Sequence, residues 1–233
     1  MQSLKGKIAL ITGASRGIGA AAAKSLAKAG AHVILIARSS AGLEKLDDEI
    51  TALQGTATLV PCDLTEPKVA ERLAHYIAER FGRIDILVGN AGTLGSLTPL
   101  AHVDEKLWDE TFALNTKVNQ RLIACFDPLL RTSTAGRAIF LTTTVDEPPT
   151  PYWGLYAASK AALNVLVQTY AMEVKNTPLR VNLLDPGPVR TTMLQKAMPG
   201  KEPDGTKDPE SLGDLFVKLS SEQLTETGHL FTA

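Results

Sequence analysis

The sequence predicts an α/β fold in which a doubly wound parallel sheet of about seven strands carries helices on both faces. Short runs of β-branched and aliphatic residues alternate along the chain with longer segments whose apolar residues recur at helical spacing. The short runs lack polar alternation, as expected of strands buried on both sides. A length of 233 residues suits one unit of this class, so we expect residues 1–233 to form a single domain.

The predicted elements follow one another in strand–helix order. Gly30 and Gly82 come directly after two of the helical segments, where a helix C-cap is expected. A stretch rich in proline and glycine over 199–213 suits either a lid or an ordinary surface loop, and we interpret 193–213 as a substrate loop. We predict strands over 7–11, 33–37, 56–60, 84–88, 138–142, 180–184 and 230–232, and helices over 20–29, 43–53, 69–81, 108–130 and 157–174.

Composition argues against several classes of partner. With 24 basic and 25 acidic residues, the net charge of −1 gives no reason to expect nucleic acid or an anionic membrane surface. Cys62 and Cys125 are far apart, and the four histidines are scattered, so we predict neither a disulfide framework nor a metal site. The apolar runs are only strand-length, so we expect no targeting or membrane-spanning segment, and the two isolated cysteines suit a reducing cytoplasm.

A glycine-rich turn follows the first predicted strand and opens a helix. Glycines allow a tight turn and a close approach of the backbone to a ligand, and a helix N-terminus suits a pyrophosphate. This arrangement indicates a Rossmann-type dinucleotide site, although a plain tight turn is the alternative. The spacing is G-x-x-x-G-x-G, with Gly13, Ser15, Arg16, Gly17, Ile18 and Gly19 as candidate cofactor residues.

The end of the second strand bears on which dinucleotide binds. An acidic residue there holds the ribose 2′-hydroxyl of NAD, whereas an arginine accommodates the 2′-phosphate of NADP. Arg38 stands at this position, the next carboxylate is Glu44, and Arg16 could reach the same group. We therefore predict NADP rather than NAD. The alternative is that both arginines are solvated surface charges.

Tyr156 and Lys160 are four residues apart and would share one face of a helix. Lowering a tyrosine pKa from about 10 to near 7 requires about 4 kcal/mol. An ammonium about 4 Å away contributes about that much at an effective dielectric constant of about 20, and far less in bulk water. The pair can therefore work as a proton donor and acceptor only if it is partly desolvated. An exposed surface pair is the alternative.

Other polar groups follow strands of the same predicted sheet. Thr142, Thr143 and Thr144 end one strand, while an Asn-Ala-Gly and a Pro-Gly sequence follow two others. Because open α/β sheets bind ligands at the carboxyl ends of their strands, we expect all these groups at one site.

With these motifs in order, the chain resembles the short-chain dehydrogenase/reductase family over nearly its full length, and within it bacterial oxoacyl-(acyl-carrier-protein)-reductase-like oxidoreductases. The resemblance implies that Tyr156 is the general acid or base and that Lys160 lowers its pKa. It implies that Asn115 holds a water of the proton relay, and it implies a homodimer or homotetramer. The remaining residues implied to contact the cofactor are Asp63, Leu64, Asn90, Ala91, Gly92, Pro186, Gly187, Val189 and Thr191.

The chain departs from the family pattern at three positions. Thr143 falls where the family has its catalytic serine, and its added methyl group restricts the side chain while keeping the hydroxyl. Thr144 would face the opposite side if the strand continued. Gly89 replaces the first asparagine of Asn-Asn-Ala-Gly, and Asp185 stands before Pro-Gly where the family usually has an uncharged residue.

The function expected from this resemblance is hydride transfer between NADP(H) and a small-molecule carbonyl or secondary alcohol, with Thr143 orienting the carbonyl. The alternative is a catalytically weak dinucleotide-binding protein that acts as a redox sensor or structural partner. Residues 93–97, 147–153 and 193–213 would frame the substrate pocket, with Tyr152 and Trp153 either lining it or packing in the core.

Overall fold

A seven-stranded, wholly parallel sheet organises the chain and confirms the predicted Rossmann-type doubly wound α/β fold. A computed structural model describes residues 3–144 and 149–233, and within these residues the strand order is β3-β2-β1-β4-β5-β6-β7. The chain starts in the middle of the sheet, builds outward to one edge, returns, and then builds to the other. The strands are β1 (Ile8–Thr12), β2 (His32–Ala37), β3 (Thr56–Pro61), β4 (Ile86–Gly89), β5 (Arg137–Leu141), β6 (Arg180–Asp185) and β7 (Leu230–Thr232).

Helices cover both faces of this sheet. Predicted and observed bounds agree within a few residues for most of them, and α3 agrees at both ends. Among the described residues, no helix is sufficiently long and apolar to cross a membrane. The helices are α1 (Gly17–Lys28), α2 (Ser40–Ala52), α3 (Val69–Phe81), α4 (Glu105–Phe112), α5 (Val118–Thr132), α6 (Gly154–Glu173), α7 (Thr192–Ala197) and α8 (Gly213–Leu219).

Two predicted segments differ from the structure. The helix expected over 108–130 is divided into α4 and α5 by a π-helical turn, Ala113–Lys117, which turns Asn115 inward so that its amide reaches α6. The loop expected over 199–213 contains a 3₁₀ turn, Pro209–Leu212, and ends where α8 begins. Proline at the first position of a helical turn explains the 3₁₀ turn, because its missing N–H has no partner to lose there.

The core lies in two layers, one on each face of the sheet. Along β1, Ala9 and Ile11 belong to the buried cluster that includes Phe216 of α8, whereas Leu10 belongs to the opposite cluster, which includes Phe126 of α5. Successive side chains of a strand point to opposite faces, so a continuous apolar run supplies both layers. All strands run the same way, and the loops after β1, β4, β5 and β6 therefore meet along one edge.

Asp85 lies at the amino end of β4, on the side of the sheet opposite the loops that follow β1, β4, β5 and β6. Its buried carboxylate accepts hydrogen bonds from the Ile8 amide (2.9 Å), the Ser133 hydroxyl (2.6 Å) and the Arg83 guanidinium (3.2 Å). We expect Asp85→Asn to lower the free energy of unfolding by about 1–3 kcal/mol, because it leaves a buried donor without its acceptor. Urea unfolding checks this, and dinucleotide affinity should stay unchanged. An unaltered unfolding midpoint would contradict the structural role assigned to this carboxylate.

Candidate active site

The glycine turn between β1 and α1 is the first part of the site. Gly13 and Gly17 have positive φ angles of 65° and 57°. A Cβ on Gly19 would lie 2.3 Å from the Gly13 carbonyl oxygen, so that position excludes any side chain. Arg16 precedes α1, and no described side chain caps this helix. The first amides of α1 are therefore available to an anion.

Thr12 and Asn90 hold this turn against the end of β4. The buried Thr12 hydroxyl accepts from the amides of Asn90 and Ala91, both at 3.0 Å. The Asn90 side chain donates to the carbonyl oxygens of Thr12 (2.9 Å) and Gly13 (3.2 Å). Asn90 thus shapes the turn directly. Thr12 was not among the predicted site residues, although its hydroxyl at the end of an apolar strand was an available signal.

The two arginines expected to select the cofactor lie on adjacent loops. A Cβ on Gly42, in the first turn of α2, would lie 2.9 Å from the Cβ of Ser15, which places the end of β2 beside the glycine turn. The Arg38 side chain is 76% exposed, and its only described ion pair is a 3.8 Å contact with Asp63. Hydrogen bonds from Thr65, and the charge of Arg38, lower the pKa of Asp63. Arg38 is therefore weakly paired and accessible.

Tyr156 and Lys160 lie on the first turns of α6, as their spacing predicted. Lys160 is buried, and its Nζ donates to the Leu141 carbonyl oxygen at 2.8 Å and lies 5.9 Å from the centre of the Tyr156 ring. Burial lowers the pKa of Lys160 to about 8, against the opposing charge of Asp185. Burial, and then the charge of Asp185, raise the pKa of Tyr156 to about 12.

This pKa differs from the expectation that Lys160 depresses it. The ammonium is directed at the backbone of β5 instead of the phenol, while burial penalises the phenolate. Tyr156 therefore holds its proton at neutral pH, as a proton donor must.

Asn115 connects α6 to the loop after β4. Its side chain accepts from the Thr93 amide (2.8 Å) and donates to the Thr93 carbonyl (2.9 Å) and the Ser159 hydroxyl (2.9 Å). A Cβ on Gly92 would lie 3.3 Å from Asn115 Oδ1 and 3.7 Å from Lys160 Nζ, so these three residues are neighbours. Ser159 lies between Tyr156 and Lys160 in the sequence and is buried in the structure. It was not predicted as a site residue, because nothing in the sequence marks it as inward-facing.

The three threonines after β5 have different surroundings. The strand ends at Leu141, one residue earlier than predicted, so alternation along it does not decide where Thr144 points. The Thr142 hydroxyl donates to Asn164 at 2.5 Å, and the Thr144 hydroxyl donates to Asp185. The half-buried Thr143 is the one of the three whose hydroxyl has no hydrogen-bond partner among the described residues. Its hydroxyl is the one left available to a ligand.

The loop after β6 closes the site. Gly187 has a φ of 65°, and its amide donates to Asp185 at 2.9 Å. Val189 is buried, and Thr191 caps α7 by accepting from the Leu194 amide. A Cβ on Gly17 would lie 3.2 Å from the Thr191 methyl group, so this loop touches the glycine turn.

Packing explains the glycine at position 89. A Cβ there would lie 2.5 Å from Phe140 Cδ1 and 2.7 Å from Asn119 Oδ1. The Phe140 ring fills the space that a longer side chain would need. This departure from the family pattern is thus matched by the neighbouring strand.

An aromatic and aliphatic group lies beside Tyr156 at the start of α6. The Trp153 ring meets the Tyr156 ring edge-on at 6.0 Å, and Tyr152 is 59% exposed with a φ of 72°. Leu100, 65% exposed, lies against Gly154. Of the predicted pocket frame, residues 147 and 148 lie outside the described part of the chain, and with them Glu147.

Comparisons with known proteins agree with this geometry. The family model for short chain dehydrogenases matches residues 7–202. The uncharacterised oxidoreductase YciK of Escherichia coli is 33% identical over 234 residues, covering 99% of this chain and 92% of YciK.

Solved structures give the same result. A protein described as a short chain dehydrogenase from Pseudomonas syringae superposes with a TM-score of 0.94 at 32% identity, covering 99% of this chain and 96% of that one. Another from Shigella flexneri, solved in complex with NADP, has a TM-score of 0.91 at 32% identity and covers 99% and 98%. The chain is thus similar to these proteins in sequence and in fold over almost its whole length. It belongs to the short-chain dehydrogenase/reductase family.

Proposed function

We propose that this chain is an NADP(H)-dependent oxidoreductase that interconverts a small-molecule carbonyl compound and its secondary alcohol. The observation that carries the proposal is the meeting of a glycine turn, the Thr143 hydroxyl and the Tyr156–Lys160 pair at the carboxyl edge of one sheet. Membership of an oxidoreductase family supports the same reaction class.

The residues around the glycine turn fit a dinucleotide. The turn forms a cradle that a Cβ at Gly19 would fill, and the uncapped start of α1 offers amides to a pyrophosphate. Arg38 offers a guanidinium fork to a 2′-phosphate, helped by Arg16 from the adjacent loop. The NADP complex of the Shigella flexneri neighbour supports NADP as the cofactor.

The chemistry proposed for the site divides among three side chains. Bound NADPH would supply the hydride to a carbonyl carbon. Thr143 donates a hydrogen bond to the carbonyl oxygen and so orients it. Tyr156 releases its phenolic proton to that oxygen as negative charge develops there. Lys160, freed from the Leu141 carbonyl, would hold the ribose hydroxyls and stabilise the resulting phenolate.

The other predictions about this protein remain proposals of the same kind. Residues 193–213 would form the substrate loop. Arg190 would stabilise it through salt bridges with Glu202 (2.8 Å) and with Asp208. The apolar side chains of Leu100, Tyr152 and Trp153 would contact the apolar part of a substrate. A single domain, a cytoplasmic location and a homodimer or homotetramer complete this description.

The direct test combines cofactor binding with turnover. NADPH and NADH are titrated separately, and NADPH oxidation is then followed with a panel of neutral ketones. We expect tighter binding of NADPH and turnover of at least one carbonyl compound. Binding without turnover over the whole panel would favour a sensor or structural role, and binding of neither nucleotide would overturn the proposal.

Thr143 is tested by removing its hydroxyl while keeping its shape. We expect Thr143→Val to lower kcat/KM about 10²–10³-fold, because a hydrogen-bond donor to the developing oxyanion is lost. Thr143→Ser keeps the donor and should retain most activity. Equal activity of the valine and serine variants would assign the orienting role to another residue.

A further inference from the structure

Asp185 is a buried carboxylate that joins two loops of the site. It ends β6 and is 7% exposed. Its Oδ1 accepts from the Gly187 amide at 2.9 Å, and its Oδ2 accepts from the Thr144 amide at 2.5 Å and from the Thr144 hydroxyl. The Asp185 side chain therefore links two loops by hydrogen bonds. One is the loop after β5, which contains Thr143, and the other is the turn after β6, which leads to Val189 and Thr191.

The three donors explain how a charge is tolerated here. Burying a carboxylate costs free energy of desolvation unless hydrogen bonds compensate for the lost water. Asp185 accepts three such bonds, two from Thr144 and one from Gly187. Asparagine, an uncharged residue of nearly the same shape, has one accepting oxygen and one donating amide. It would place a donor against either Gly187 or Thr144, and so would release one of the two loops.

The carboxylate also places a negative charge beside the reacting groups. This charge raises the pKa of two residues of α6: it disfavours the phenolate of Tyr156 and favours the ammonium of Lys160. The described residues directly after β5, Thr142, Thr143 and Thr144, contribute hydroxyls. Arg190, beyond the turn after β6, pairs with Glu202 and Asp208. On β7, the uncharged Thr232 is the residue paired with Asp185.

We propose that Asp185 is a positioning residue that holds Thr143 in place by joining the loops after β5 and β6. The inference rests on the proposed function and adds to it the residue that holds Thr143 in position.

The test compares two buried carboxylates: Asp185 at the carboxyl end of β6 and Asp85 at the amino end of β4. Asp185→Asn and Asp85→Asn each remove one charge that accepts hydrogen bonds from three donors. The first measurement is amide hydrogen exchange at Thr144 and Gly187. The second is the pKa of Lys160, followed by NMR of its Cε in protein labelled with ¹³C-lysine. Neither measurement requires a substrate.

We expect Asp185→Asn to speed exchange of at least one of the two amides about tenfold, the loss expected for a hydrogen bond to a charged group. It should also lower the pKa of Lys160, whereas Asp85→Asn should change neither quantity. Unchanged amide exchange and an unchanged pKa of Lys160 in Asp185→Asn would overturn the proposal, even if the chain proves to be an active reductase.

Thr144→Val separates the two effects and serves if Asp185→Asn fails to fold. It keeps the charge of Asp185 but loses the hydroxyl donor, so exchange of the residue-144 amide should quicken while the pKa of Lys160 stays close to that of the wild type. A large fall in that pKa would contradict the assignment of the charge effect to Asp185. With an active carbonyl substrate, the limb of the pH–rate profile that reports Tyr156 should move to lower pH in Asp185→Asn only.

Discussion

Tyr156→Phe is expected to lower kcat about 10²–10⁴-fold, the range attributed to a positioned general acid. The substitution removes the phenolic hydroxyl and leaves the ring in its edge-on contact with Trp153. NADPH affinity should stay close to that of the wild type, because the glycine turn and Arg38 lie on other loops. Steady-state kinetics on an accepted carbonyl compound, with a parallel titration of NADPH, measure both quantities.

Tyr170→Phe is the matched control for this change. Tyr170 is also on α6 and buried, and its hydroxyl donates to Asp127 at 2.7 Å, away from the site. Its removal should reduce stability and leave turnover by the folded protein unchanged. Comparable losses of kcat in both variants would mean that the phenol of Tyr156 acts through the packing of α6 and not through proton transfer.

Arg38→Ala is expected to weaken NADPH binding about 10–100-fold, which corresponds to the 1.5–3 kcal/mol typical of a hydrogen bond to a charged group. NADH lacks the 2′-phosphate, so its affinity should change little. The exposed, weakly paired guanidinium suits this role, because little protein interaction is lost when it turns to a ligand. Titration of both nucleotides into the wild type and the variant gives the comparison.

Arg80→Ala controls for the loss of a positive charge. Arg80 is exposed near the end of α3, where it contacts Tyr76 and Phe81. NADPH affinity should be the same in this variant as in the wild type. A parallel loss of NADPH and NADH affinity in Arg38→Ala would show that Arg38 shapes the loop after β2 and does not read the 2′-phosphate.

The sequence by itself determined the fold class, the number of strands and the residues of the main motifs. These follow from local chemistry: apolar runs without alternation specify strands buried on both sides, and glycines at fixed spacing specify a tight turn that other residues adopt only rarely. The positions of Tyr156 and Lys160 on one helix face follow from helical geometry alone. The likeness of the assembled motifs to a family then supplied roles that local chemistry could not.

Only the tertiary structure decided how the polar groups of the site are paired. Thr142, Thr143 and Thr144 are equivalent in sequence. Among the described residues, the hydroxyls of Thr142 and Thr144 donate to Asn164 and Asp185, and that of Thr143 has no partner, because these partners come from distant elements. The direction of Lys160 toward β5, and with it the raised pKa of Tyr156, likewise depends on the neighbouring strand and on burial. Hydrogen-bond partners and desolvation are set by residues far apart in the chain, and no local pattern records them.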